Sequence, residues 1–156
     1  MEAIIKNTVN NQVRSKKLYE DAQLPHKGSE KAAAYDVYAY LPDGPVTLFP
    51  HTTVKIGTGL AMALPEGYFM GVYARSGLAT KEGLRPANCV GVCDEDYRGE
   101  YIVALHNDSE NFRIVTHGER IAQIILQPRI ECDFIEVNEL DDTERGTGGF
   151  GSTGVN

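Results

Sequence analysis

A chain of 156 residues with 42% hydrophobic content fits one compact domain, and its apolar side chains suffice for a core without disulfides or structural metals. The formal net charge of −7 excludes a general nucleic-acid or membrane-surface binder, since those carry a basic footprint. It leaves room for a small phosphorylated ligand, which needs only a local cluster of Arg and backbone N–H groups.

Along the chain, the charged and amide residues of positions 1–17 predict neither a signal peptide nor a spanning helix, so the expected location is the cytoplasm. Pro42-Asp43-Gly44 marks a turn before a strand-like stretch at 47–49. Val54, Ile56, Leu60, Met62 and Leu64 then share one parity, as do Met70, Val72 and Ala74 beyond Pro65-Glu66-Gly67, a pattern that predicts a hairpin. Good helix formers occur only at 77–83, enough for about two turns. Strand-like stretches follow at 101–105, 113–115, 121–126 and 130–137, with His106-Asn107-Asp108-Ser109 as a turn. Many short strands with frequent turns predict an all-β sandwich or barrel. Cys89, Cys93 and Cys132 are odd in number and form no CxxC pair, so they are expected as reduced, small core residues.

Three segments carry chemistry. In Ala74-Arg75-Ser76-Gly77-Leu78-Ala79, an arginine and a hydroxyl sit where a strand gives way to the short helix; together with first-turn N–H groups they suit a phosphate, although a plain N-cap at Ser76 explains the serine equally well. In Gly91-Val92-Cys93-Asp94-Glu95-Asp96-Tyr97-Arg98-Gly99-Glu100, one carboxylate is placed to hold and deprotonate a water beside an aromatic wall; the plain alternative is an acidic hairpin tip. The third segment, Arg145-Gly146-Thr147-Gly148-Gly149-Phe150-Gly151-Ser152-Thr153-Gly154, has the composition of a mobile tail. It approaches the spacing of a P-loop but has Ser152 in place of the lysine, while Arg145 suits a terminal phosphate and Phe150 a base face.

These three occur in order with two more, Ala34-Tyr35-Asp36-Val37-Tyr38-Ala39 and Gly118-Glu119-Arg120-Ile121-Ala122-Gln123. Together they resemble the motifs of the trimeric dUTPase family over nearly the whole chain, residues 17–154. Departures are small: Ala34 stands where glycine is frequent, Val37 where leucine is common, and Cys93 where an isoleucine often precedes the aspartate. None removes a reactive group.

The resemblance implies a distorted jelly-roll or β-clip barrel with one short helix, formed by residues 1–140. A Gly-rich arm, residues 141–156, closes over an active site shared among three subunits of a homotrimer. It implies hydrolysis of dUTP to dUMP and pyrophosphate, with Mg²⁺ on the phosphates. Uracil is expected at the hairpin of Asn88, Gly91, Val92, Cys93 and Ile102, assisted by Gln123, with Tyr97 against the deoxyribose. Arg75, Ser76 and Gly77 are expected on the inner phosphates, and Arg145, Phe150, Gly151 and Ser152 on the arm. Asp94 is expected to position the attacking water, and Asp36 to act as an outer-shell partner of the metal or as a structural aspartate. Arg120 is left between a carboxylate partner and a phosphate. His26, His51, His106 and His117 lack ligand-like spacing and are expected in surface or structural roles. Two rival readings are a dCTP deaminase, which shares the fold, and a regulatory module that binds nucleotide and a protein partner. Neither nucleic acid nor membrane is expected as a partner.

Overall fold

The computed structural model describes residues 11–150. The described strands are β1 (Arg14–Lys17), β2 (Tyr35–Tyr38), β3 (Val46–Leu48), β4 (Thr53–Ala63), β5 (Tyr68–Tyr73), β6 (Leu84–Pro86), β7 (Val90–Cys93), β8 (Glu100–Asn107), β9 (Arg113–Val115) and β10 (Arg120–Pro128), with one helix, α1 (Ser76–Glu82), between β5 and β6. They form two four-stranded sheets, ordered β1-β4-β8-β6 and β2-β10-β5-β7, and a two-stranded sheet, β3-β9, with every pairing antiparallel. The expectation of a β-rich chain with one short helix is met. All three sheets feed one core, in which Ile56, Leu60 and Leu105 meet Met70, Val72 and Ile124, with Leu48 and Val115 beside them. Among the described residues no helix is long and apolar enough to cross a membrane.

The expected hairpin of β4 and β5 does not form. β4 pairs with β1 and β8, whereas β5 pairs with β10 and β7, so the turn at 65–67 carries the chain from one sheet to the other. The alternation is obeyed on both sides, with Met62 and Leu64, then Met70 and Val72, turned into the shared core. Alternation specifies which face of a strand is buried, and two strands that cross from sheet to sheet satisfy it as well as two that pair. The corner is fastened elsewhere: Gly67, at φ 81°, donates its N–H to Glu95 Oε2 at 2.8 Å and accepts from the Arg129 N–H at 2.7 Å.

Residues 130–137, expected as a strand, have no partner strand among the described residues and are not extended into a ladder. Ile130, Phe134, Ile135 and Leu140 all lie exposed, Phe134 at 97%. Their apolar, β-branched composition favours a strand, but a strand exists only where another supplies its hydrogen bonds. The cysteines also depart from expectation: Cys89 and Cys132 are exposed, and only Cys93 packs on the core.

Two devices position the remaining elements. A bulge in β4 shifts its register with β8 between Gly57 and Ala61, with Gly59 at φ 69°. The N–H freed at Gly59 is taken by Glu100 Oε1 at 2.8 Å, and the buried Thr58 hydroxyl donates to the Tyr101 carbonyl at 2.7 Å. The bulge thus sets where β8 begins. At the other end of β8, fully buried Asn107 donates through Nδ2 to the carbonyls of Leu48 and Asn111, while its Oδ1 accepts from the Ser109 N–H and hydroxyl.

Candidate functional site

Four of the five segments singled out by their chemistry contribute to two clefts. The first, of about 240 Å³, lies under the tip that joins β7 to β8 and is lined by Asn88, Gly91, Val92, Cys93, Asp94, Tyr97 and Ile102, together with Val72, Tyr101 and Val103. β7 is the edge strand of its sheet, so its outer row of N–H and C=O groups has no strand partner. Such an edge offers backbone donors and acceptors to whatever lies against it. Gly91 lets this strand lie close to its neighbour: a Cβ there would stand 3.0 Å from Val72 Cβ and 3.3 Å from Asn88 Nδ2.

The tip is braced from several sides. Tyr97 donates its N–H to the Asp94 carbonyl at 3.2 Å and its hydroxyl to the Glu100 carbonyl at 2.9 Å. Arg98 Nη1 donates to the carbonyls of Glu95 and Tyr97, and Glu95 is tied to Gly67 and to Arg129. Asp94, held between these anchors, presents an exposed side chain to the cleft.

The second cleft, of about 430 Å³, is lined by Asp36, Arg75, Ser76, Gly77, Arg120 and Gln123, with Gly28 and a run of alanines. Arg75 Nε donates to Asp36 Oδ1 at 2.8 Å and Arg120 Nη1 to Asp36 Oδ2 at 3.2 Å. Asp36 is only 14% exposed, and its backbone is fixed by a bridge to His26. Two guanidinium groups against one carboxylate leave a net positive charge. Arg75 spends one further N–H on the Arg120 carbonyl and keeps others for an incoming anion. Arg120 thus has a carboxylate partner within its own chain.

Arg75, in extended conformation, is the N-cap of α1, and Ser76 is its first helical residue, not the cap expected from the sequence. First-turn N–H groups have no intrahelical partner, and those of Ser76 and Gly77 open at this cleft. Gly83, at φ 70°, closes the helix by donating to the Leu78 carbonyl.

Gln123 does not join the base-reading residues. It lines the second cleft, where its Nε2 donates to the Ala74 carbonyl at 2.8 Å. Arg145 and Phe150 line neither cleft; Arg145 Nε donates to the Gly148 carbonyl at 2.9 Å and Phe150 is exposed. Gly151 and Ser152 lie outside the described residues. No cluster of three or more His, Cys, Asp or Glu suited to a metal ion occurs among the described residues. The histidines have structural partners instead: His51 meets Glu110, His106 meets Thr53, and His117 Nδ1 accepts the Leu41 N–H. Sequence reasoning passed over Tyr101, whose place in the first cleft follows from the inward parity it shares with Val103 and Leu105.

A larger groove of about 700 Å³, lined by Val13, Leu24, Met62, Met70, Ile124 and Leu126 among others, has no ionised group to bind an anion. Ionised side chains line the two smaller clefts.

Comparison with known proteins bears on the same residues. A family profile described as dUTPase matches residues 20–154. The deoxyuridine 5'-triphosphate nucleotidohydrolase of Hydrogenobaculum sp. is 44% identical over 140 residues, spanning 90% of this chain and 96% of the relative. That of Desulfotalea psychrophila is 47% identical over 136 residues, spanning 87% and 90%. Among solved structures, the Staphylococcus bacteriophage 80alpha dUTPase with dUpNHpp superposes with a TM-score of 0.78 at 27% identity, over 93% of this chain and 99% of that one. A variant of the dUTPase from phage phi11 of S. aureus, described for its coordination of a structural Mg(II) ion, superposes at 0.74 with 22% identity, over 85% and 100%.

Proposed function

This chain belongs to the dUTPase family, and from that premise we propose how its two clefts hydrolyse dUTP to dUMP and pyrophosphate. The observation that carries the reading is the partition of chemistry: a narrow cleft bounded by a sheet edge, with Asp94 at its mouth, and a second cleft of guanidinium and helix N–H groups.

Uracil enters the first cleft. It offers a donor at N3 and an acceptor at O4, cytosine reverses that pattern, and a site matched to one leaves buried polar groups unpaired with the other. The 5-methyl of thymine is refused by close packing at Gly91, and Tyr97 packs on the deoxyribose where a 2′-hydroxyl has no room. The inner phosphates fall to Arg75, Ser76 and Gly77. Gln123, beside them, serves the phosphates in this arrangement instead of the base.

A Mg²⁺ ion fits as a passenger of the triphosphate: Asp36 is the carboxylate of the phosphate cleft, and each of its oxygens accepts one guanidinium bond, leaving lone pairs for a water of the ion's shell. When bound, the ion neutralises phosphate charge. Asp94 positions a water for in-line attack on the α-phosphorus and takes its proton, with pyrophosphate as leaving group. Alignment and charge neutralisation supply most of the acceleration, as in phosphoryl transfer generally. Arg145 and Phe150 close over the nucleotide from the arm.

The two clefts share no lining residue among the described residues, and residues 141–150 of the arm line neither. A complete site therefore draws on neighbouring copies, in a homotrimer of jelly-roll subunits. The exposed run through Ile130, Phe134 and Leu140 and the apolar groove at Leu24, Met62 and Ile124 are complementary surfaces for that contact.

The test is pyrophosphate release by the purified protein with Mg²⁺, comparing dUTP with dCTP, dTTP and UTP at equal concentration. Rapid release from dUTP alone is expected. Ammonia release from dCTP, or binding of dUTP by a folded protein without turnover, contradicts the reading.

A further inference from the structure

Beneath the first cleft lies a polar group that this mechanism does not use. Tyr101 stands near the start of β8, turned inward with Val103 and Leu105 and only 3% exposed. Its carbonyl is engaged by the Thr58 hydroxyl, but its phenolic oxygen is buried with no hydrogen-bond partner, and no other buried side-chain N or O atom among the described residues shares that state. The Cys93 thiol is its polar neighbour and interacts with it, but this weak sulfur contact falls outside ordinary hydrogen-bond geometry, so the phenolic oxygen is left without a full partner. Burial raises the Tyr101 phenol and the Cys93 thiol above their ordinary ranges, so both are protonated at neutral pH and Tyr101 keeps a hydrogen to donate. Tyr101 lines the same cleft as Asn88, Gly91, Asp94 and Tyr97.

A buried hydroxyl without a partner destabilises the state in which it is orphaned, and a core position that required only volume is better filled by phenylalanine. The Tyr97 ring lies 6.1 Å from that of Tyr101, centroid to centroid, is 43% exposed, and its hydroxyl makes one bond, to the Glu100 carbonyl. We propose that Tyr101 is a further substrate-binding residue of the base cleft: when a nucleoside enters, the Tyr101 hydroxyl donates to it, directly or through one enclosed water. The inference rests on the reading that this cleft receives the base. It gives the hydroxyl opposite effects in the two states, unfavourable in the free protein and favourable in the complex.

Tyr101→Phe keeps the ring and removes the hydroxyl. The full-length protein, Tyr101→Phe and Asn88→Ala are compared by titration calorimetry with dUMP and by thermal unfolding with and without it. Without dUMP, Tyr101→Phe is expected to melt at or above the parent; its dUMP affinity is expected to fall roughly fivefold to tenfold, as for loss of one hydrogen bond. A lower melting temperature without ligand overturns the proposal, since the hydroxyl then has a partner in the free protein. Affinity within twofold of the parent, while Asn88→Ala binds weakly, also overturns it and leaves the cleft assignment standing. Parental affinity in both variants removes the cleft assignment and the proposal with it.

Discussion

At the scale of the residue, Asp94 and Asp36 show how environment divides labour between two carboxylates. Asp36 is nearly enclosed and neutralised by Arg75 and Arg120, so it fixes the guanidinium groups of the phosphate cleft. Asp94 accepts no guanidinium and faces the base cleft from the braced tip. On the proposed mechanism, Asp94→Asn keeps the shape and the hydrogen-bonding reach but cannot take a proton. It is expected to bind dUTP within about twofold of the parent and to lose on the order of 100-fold or more in kcat. Steady-state kinetics with a parallel binding measurement checks this, and near-normal turnover rules out the assignment. Most of these residues were legible from their neighbours in sequence, because a motif keeps a reactive side chain and its supporting glycine or arginine together. Gln123 was named from its motif, but its place opposite Asp36 and Tyr73 comes from the strand register, and Tyr101 was passed over because it belongs to no motif.

At the scale of the element, β8 joins a functional end to a structural end. Its first residues, Glu100 and Tyr101, anchor the β4 bulge and floor the cleft, and its last, Asn107, ties it to the loops after β3 and before β9. An eight-residue strand separates these ends by roughly 20 Å. Asn107→Ala leaves the buried Leu48 carbonyl and the part-buried Asn111 carbonyl and Ser109 N–H without this partner and is expected to cost about 2–4 kcal/mol of stability. Urea unfolding at fixed protein concentration measures it. Turnover per folded molecule is expected to be unchanged, and a parental midpoint contradicts the role. The strand periods were readable because β4, β8 and β10 each bury alternate side chains. Their partners were not: the turn at 65–67 reads as a hairpin tip and is a crossing between sheets.

At the scale of the whole molecule, one chain leaves an apolar run exposed and its two clefts apart, a state unsuited to a stable solitary enzyme. Sedimentation equilibrium is expected to return three times the 17.1 kDa chain mass under conditions of full activity, and a monomer's mass there refutes the shared site. Composition, parity and motif order by themselves determined a β-rich domain with one short helix, and the family. These depend on local spacing, and local spacing is written in the chain. Only the tertiary structure decided that β4 and β5 part company, that Arg120 answers Asp36, that Gln123 lines the same cleft as Asp36 and Arg75, and that the Tyr101 hydroxyl is left without a full partner. Those facts are set by which strands lie side by side, and an alternating strand buries the same face against any neighbour that offers it one.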